Sequence, residues 1–122
     1  MAKTIMIVDD SATLRQVVGI ALKGAGYDVL EACDGKDALT KLDGRKIHLI
    51  VCDVNMPNMD GISFVKQMKT MAAYKFTPVI MLTTEAGEGK KQEGQAAGAR
   101  AWVVKPFQPA QMLDAVSKLI LP

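Results

Sequence analysis

The sequence predicts an α/β protein built on a single doubly wound, five-stranded parallel sheet. Three observations predict it. Short apolar runs alternate with segments of helical period along all 122 residues. The connections between them are short, so the sheet should be covered by helices on both faces. A capping residue or a Pro introduces four of the helical segments. Right-handed crossovers then favour strand order 2-1-3-4-5.

Thr4–Val8 reads as the first strand, with no turn residue inside it. Ser11 offers an N-cap, and Leu14, Val17, Val18, Ala21, Leu22 and Ala25 recur at helical spacing until Gly26 ends the helix. Asp28–Ala32 is a second, weaker strand. Asp34 caps a helix running through Lys41, with Ala38, Leu39 and Leu42 on its inner side. "HLIVCD" is a nearly continuous apolar strand, followed by the turn-rich "VNMPNMDG". Asp60 caps the next helix, which buries Ile62, Val65 and Met68. "PVIMLT" and "AWVV" are the fourth and fifth strands, and between them "EAGEGKKQEGQAAGA" predicts a weak, mobile helix. Pro109 suits the first turn of a last helix carrying Met112, Leu113, Val116, Leu119 and Ile120. No repeat, low-complexity tract or linker interrupts the chain, so residues 1–122 are expected to form one domain.

Composition narrows the function classes. Apolar residues make up 49% and aromatics 5%, so the core should be aliphatic and filled by some of the eight methionines. A net charge of +2 argues for neither nucleic acid nor an anionic membrane, and Lys90-Lys91 is flanked by Glu88 and Glu93. Cys33 and Cys52 lack metal-ligand spacing and are expected to be buried, reduced thiols. The apolar run before Asp9 is too short for a signal peptide, and none approaches a membrane span. A soluble, cytosolic monomer is expected.

Ligands of open α/β sheets bind at the carboxyl ends of the strands, near the topological switch point. Those ends carry Asp9 and Asp10 after the first strand and Asp53 after the third. The fourth ends in Thr83 and Thr84, and the fifth in Lys105. The first and third strands are neighbours in the predicted order, so three carboxylates converge on one pocket and call for a cation. Oxygen ligands without His or Cys suit Mg²⁺. The remaining groups match phosphoryl chemistry, with Asp53 as the carboxylate nucleophile, Lys105 as the neutralising cation and Thr83 as a hydroxyl donor. His48, the only histidine, lies before the third strand, at the end opposite Asp53.

"IVDDS", "CDVNMPNMDG", "MLTTEA" and "VVKPF", in that order and spacing, resemble the receiver domain of two-component response regulators, and within it the stand-alone, CheY-like chemotaxis members. The resemblance spans the whole chain. It implies that Asp53 accepts a phosphoryl group from a phosphohistidine on a CheA-like histidine kinase. It implies further that Asp9, Asp10, Asp53 and the main-chain carbonyl of Asn55 hold Mg²⁺. Lys105, before a Pro106 that is cis in the family, would bind a phosphoryl oxygen, and Thr83 would be the switch hydroxyl. Trp102 falls at the position of a switch aromatic. Asn55 and Glu85 match the pair that flanks the attacking water and tunes dephosphorylation.

The protein would be a signalling switch that catalyses only its own phosphorylation and dephosphorylation. Its further partners would be a flagellar motor switch protein or a phosphatase. Several features depart from the pattern. Trp102 is bulkier than the usual Tyr, and Thr84 stands where a smaller residue is usual. Lys91 and glycines replace an expected apolar contact on the output face. A phosphate sink or relay intermediate is therefore the alternative output. A Mg²⁺-dependent phosphatase of the haloacid-dehalogenase kind would need a DxD pattern after the first strand, where Asp9, Asp10 and Ser11 stand instead. A flavin carrier of similar fold would need a phosphate loop that the acidic pair would repel.

Overall fold

The computed structural model describes residues 2–54, 56–83, 98–105 and 107–120. The five apolar runs form strands β1 (Thr4–Val8), β2 (Asp28–Ala32), β3 (Leu49–Asp53), β4 (Val79–Thr83) and β5 (Ala101–Val104). All neighbours pair in parallel, in the order β2-β1-β3-β4-β5. Among the described residues the helices are α1 (Ala12–Gly24), α2 (Gly35–Thr40), α3 (Gly61–Met68) and α4 (Pro109–Leu119). The segment predicted as a weak helix between β4 and β5 falls largely on residues 84–97. It lies outside the described residues, and with it Thr84, Glu85, Lys90 and Lys91.

The expected caps are present. The Ser11 hydroxyl accepts from the Leu14 N–H at 3.2 Å, and Asp34 and Asp60 accept from Asp37 and Ser63 at 2.8 and 2.7 Å. Pro109 opens α4 in place of a side-chain cap. Gly26 adopts φ +95°, the left-handed conformation that lets the Tyr27 N–H turn back to the Leu22 carbonyl and end α1.

Strand periodicity divides the core in two. Met6, Val8, Ile50, Cys52, Val79 and Met81 face one side, packed with Phe64, Val65 and Met68 from α3 and Ala38 from α2. Ile5, Ile7, Leu49, Val51, Ile80 and Leu82 face the other, packed with Val18 and Leu22 from α1 and Met112 and Val116 from α4. β3 and β4 are buried at every position, as near-continuous apolar strands require. No helix among the described residues is long and apolar enough to cross a membrane.

Two expectations need correction. Cys33 is exposed, because β2 is an edge strand that ends at Ala32 and leaves Cys33 in the following loop; Cys52 is buried as expected. Val17, expected on the inner face of α1, is 51% exposed. The buried stripe of α1 is Val18, Gly19 and Leu22, and Val17 instead lines an open apolar groove of about 400 Å³ with Leu14, Phe107 and Met112.

Phe64 is wholly buried and Phe76 is 69% exposed. Phe64→Ala is expected to cost about 3–5 kcal/mol, whereas Phe76→Ala should cost about 1 kcal/mol or less. Urea unfolding of the two variants checks the contrast, and similar losses would contradict this placement of the core.

Candidate functional site

The polar cluster forms because three strands of the parallel sheet run out of apolar sequence at the same end. Asp9 follows β1, Asp53 closes β3, and Lys105 follows β5. The period-two alternation directs all three to the α1/α4 side: Ile7, Val51 and Val103, two residues before each, belong to that core. Asp9 is fully buried and Asp53 nearly so, whereas Asp10 is exposed at the rim. Carboxylate oxygens of Asp9, Asp10 and Asp53 all lie within 4.8 Å of one another.

The Lys105 ammonium bridges the two buried acids, 3.1 Å from Asp9 Oδ2 and 3.3 Å from Asp53 Oδ1. Asp9 Oδ1 also accepts from the Ser11 N–H at 2.8 Å. One ammonium cannot neutralise three carboxylates, and the titration of Asp53 reflects that. Burial is the main reason its carboxyl sits above the ordinary carboxylate range, and the neighbouring Asp9 charge adds to it. Lys105 pulls the other way without cancelling them. For Lys105, burial works against the charge. The hydrogen bond to Asp9 and the field of Asp53 outweigh it, so its pKa rises above the usual lysine value. An all-oxygen cluster with surplus negative charge and no His or Cys fits a hard divalent cation.

Thr83 ends β4 fully buried, and its carbonyl accepts from the Lys105 N–H at 2.6 Å. Alternation along β4 puts its side chain on the α2/α3 face, with Val79 and Met81. Trp102 lies on that face of β5, in register with Met81 and partly buried. Thus Asp9, Asp10, Asp53 and Lys105 come together, Thr83 ends the intervening strand, and Trp102 stands on the opposite face of the sheet. Asn55, Glu85 and Pro106 lie outside the described residues. His48 is at the far end, where its Nδ1 accepts from the Thr4 N–H at 3.0 Å.

Several contributors carry no local sequence signal. A Cβ on Gly61 would overlap the Asp53 carbonyl oxygen, so α3 can begin against β3 only with glycine there. Asn58, at φ +67°, donates from Nδ2 to Asp34 Oδ2 at 2.8 Å and ties the loop after Asp53 to the cap of α2. Arg15 donates from Nη1 to the Asp9 carbonyl at 2.6 Å and from Nε to Glu31 at 3.1 Å.

Residues 5–117 match the family model of the response regulator receiver domain. The chain is 38% identical over 119 residues to chemotaxis protein CheY1 of Helicobacter pylori, covering 96% of this chain and 95% of that protein. Protein PilG of Pseudomonas aeruginosa is 38% identical over 112 residues, covering 92% of this chain and 83% of PilG. Among solved structures, the chemotaxis protein CheY4 of Vibrio cholerae is similar with a TM-score of 0.93 at 45% identity, covering 98% of this chain and 99% of that one.

Two variants probe the strain built into the cluster. A carboxyl whose folded pKa lies above its unfolded value loses stability as pH rises through the folded value. Asp53→Asn should therefore stabilise the metal-free protein by about 1 kcal/mol at about pH 7. The gain should vanish near pH 3, where Asp53 is mostly protonated in both states. Urea unfolding in chelator at both pH values measures it, and a loss at neutral pH would contradict the charge balance described. Gly61→Ala should cost at least about 2 kcal/mol and shift the backbone resonances of Asp53, read by NMR.

Proposed function

Because the chain belongs to the response-regulator receiver family, we propose that it is a phosphorylation-dependent signalling switch whose phosphoacceptor is Asp53. The observation that carries this reading is the Lys105 ammonium held between Asp9 and Asp53 at the carboxyl ends of adjacent strands, with Asp10 at the rim.

A carboxylate oxygen of Asp53 attacks the phosphorus of a phosphohistidine on a histidine kinase. The P–O bond forms as the P–N bond breaks, and the imidazole nitrogen leaves with the electron pair. Asp9, Asp10, Asp53 and the main-chain carbonyl of Asn55 are the groups that would hold Mg²⁺. When bound, that ion would supply charge neutralisation for the phosphoryl oxygens. Lys105, already directed at Asp53, pairs with a phosphoryl oxygen. The Thr83 hydroxyl donates to another and moves towards it.

Reversal is hydrolysis. Water attacks phosphorus, the bond to Asp53 breaks, and inorganic phosphate leaves. Asn55 and Glu85 are the residues proposed to orient that water.

The output is a shift between two pre-existing shapes, in which Thr83 and Trp102 change together. Their common sheet face and the backbone bond from Lys105 to Thr83 support the link between phosphate and switch. Similarity to chemotaxis proteins over nearly the whole chain supports a role in bacterial chemotaxis. The partners would be a CheA-like histidine kinase and either a flagellar motor switch protein or a phosphatase. The protein would act in the cytoplasm as a monomer.

Trp102 is the only tryptophan and so reports on its own position. Its fluorescence should change on adding Mg²⁺ and change further with acetyl phosphate. Asp53→Asn should lose the second step, and mass spectrometry should find one phosphoryl group on Asp53 of the wild type alone. Phosphorylation without a Trp102 response would point to a phosphate sink. No phosphorylation of the wild type would overturn the proposal.

A further inference from the structure

The three clustered carboxylates are not held equally. Asp9 is fixed through its side chain by the Ser11 N–H and Lys105, and through its N–H, which donates to the Ala32 carbonyl at 3.1 Å. Asp53 is the last residue of a fully buried strand and pairs with Lys105. Asp10 is exposed and belongs to neither β1 nor α1. What constrains it is the backbone on either side: the N–H of the peptide after it, that of Ser11, is taken by Asp9 Oδ1, and the peptide before it is held by Arg15. The Arg15 guanidinium holds the carbonyl of Asp9, the oxygen of the peptide that joins Asp9 to Asp10. The Arg15 N–H also donates to the Ser11 carbonyl at 3.0 Å, but that is the first main-chain bond of α1 and needs no particular side chain.

We propose that Arg15 is a positioning residue for the divalent-cation site: its guanidinium holds the peptide that leads into Asp10 and so directs the Asp10 carboxylate into the cluster with Asp9 and Asp53. The inference rests on the metal-binding reading above. Glu31 completes the device from β2. Its carboxylate takes the Arg15 Nε while Nη1 of the same planar fork reaches the Asp9 carbonyl. Glu31 is 48% exposed, and an ion pair that open adds little to stability. Its value lies in orienting the fork. A lysine has one ammonium and no fork, so it would serve one of these acceptors less rigidly and the other not at all.

The sign of the effect separates positioning from simple electrostatics. A cation beside a divalent-ion site repels the ion, so if charge were all that mattered, removing Arg15 would tighten Mg²⁺ binding. Positioning demands the opposite. Groups that orient metal ligands typically contribute about tenfold or more to metal affinity. Arg15→Ala should therefore weaken Mg²⁺ binding about tenfold. Arg15→Lys, which keeps the charge, should still bind more weakly than wild type but better than the alanine variant.

The test is isothermal titration calorimetry of Mg²⁺ into the wild type, Arg15→Ala, Arg15→Lys, Glu31→Gln and Arg45→Ala. Arg45 pairs with Asp43 in the loop between α2 and β3, at the other end of β3 from Asp53, and controls for net charge. The proposal predicts weakened binding in the first three variants and unchanged binding in Arg45→Ala. Thermal unfolding without metal is read in parallel. Lower stability with unchanged Mg²⁺ affinity would mean a merely structural clamp and overturn the proposal. Equal or tighter binding by Arg15→Ala would overturn it too, leaving the metal-site reading intact. Absence of Mg²⁺ binding by the wild type itself would instead remove the metal-site reading and this inference with it.

Discussion

The contact between the Lys105 ammonium and two buried carboxylates is the constraint on which the rest of this structure depends. Asp9 and Asp53 end neighbouring strands, β1 and β3, and burying both without a cation would cost several kcal/mol. The cation comes from beyond β5, two strands away from β3, and reaches them only because β4 lies between with its end tied to Lys105 through the Thr83 carbonyl. One charge does not balance the cluster. Burial, with the neighbouring Asp9 charge added to it, holds the Asp53 carboxyl above its ordinary range, and the surplus negative charge suits the site to a divalent cation.

Holding such a cluster in place requires a stiff platform, and the two-sided sheet provides it. β3 and β4 are buried at every position, so the backbone that carries Asp53 and Thr83 is packed from both faces. The two-residue period then sorts the functional groups. Asp9, Asp53 and Lys105 point to the side covered by α1 and α4, whereas Thr83 and Trp102 share the side covered by α2 and α3. Chemistry and its proposed readout therefore occupy opposite faces of one sheet. The main-chain bond between Lys105 and Thr83 joins them at the edge.

The loops add precision through close approach. Gly61 lets α3 start against the Asp53 carbonyl, so the backbone of Asp53 is pinned by the helix that follows it. Gly35 does the same for α2: a Cβ there would come within 2.7 Å of the Met59 side chain. Together with the Asn58–Asp34 hydrogen bond, this seats the loop after β3 on the cap of α2. Arg15 and Glu31 hold the turn after β1 in a comparable way. Each of the two acidic turns is thus braced by an element on the far side of β1.

Much of this molecule was legible in the sequence, because the deciding signals are local. Apolar runs that stop abruptly at Asp9, Asp53 and Thr83 mark strand ends, and Ser11, Asp34 and Asp60 mark helix starts from their immediate neighbours alone. Parallel pairing follows from alternation, and strand order from the handedness of crossovers, so the convergence of the three acids with Lys105 could be anticipated. What the sequence could not decide depends on which surface meets which. Cys33 follows β2 directly, and only the packing of the turn into α2 decides that its side chain is exposed. Val17 differs from Val18 by one position on α1, and which is buried depends on how the helix seats against the sheet and α4. The reach of Arg15 to the Asp9 carbonyl, the Asn58 tether and the contact at Gly61 join residues through their positions in space. Periodicity records the face a residue takes, but only the packed chain determines what that face touches.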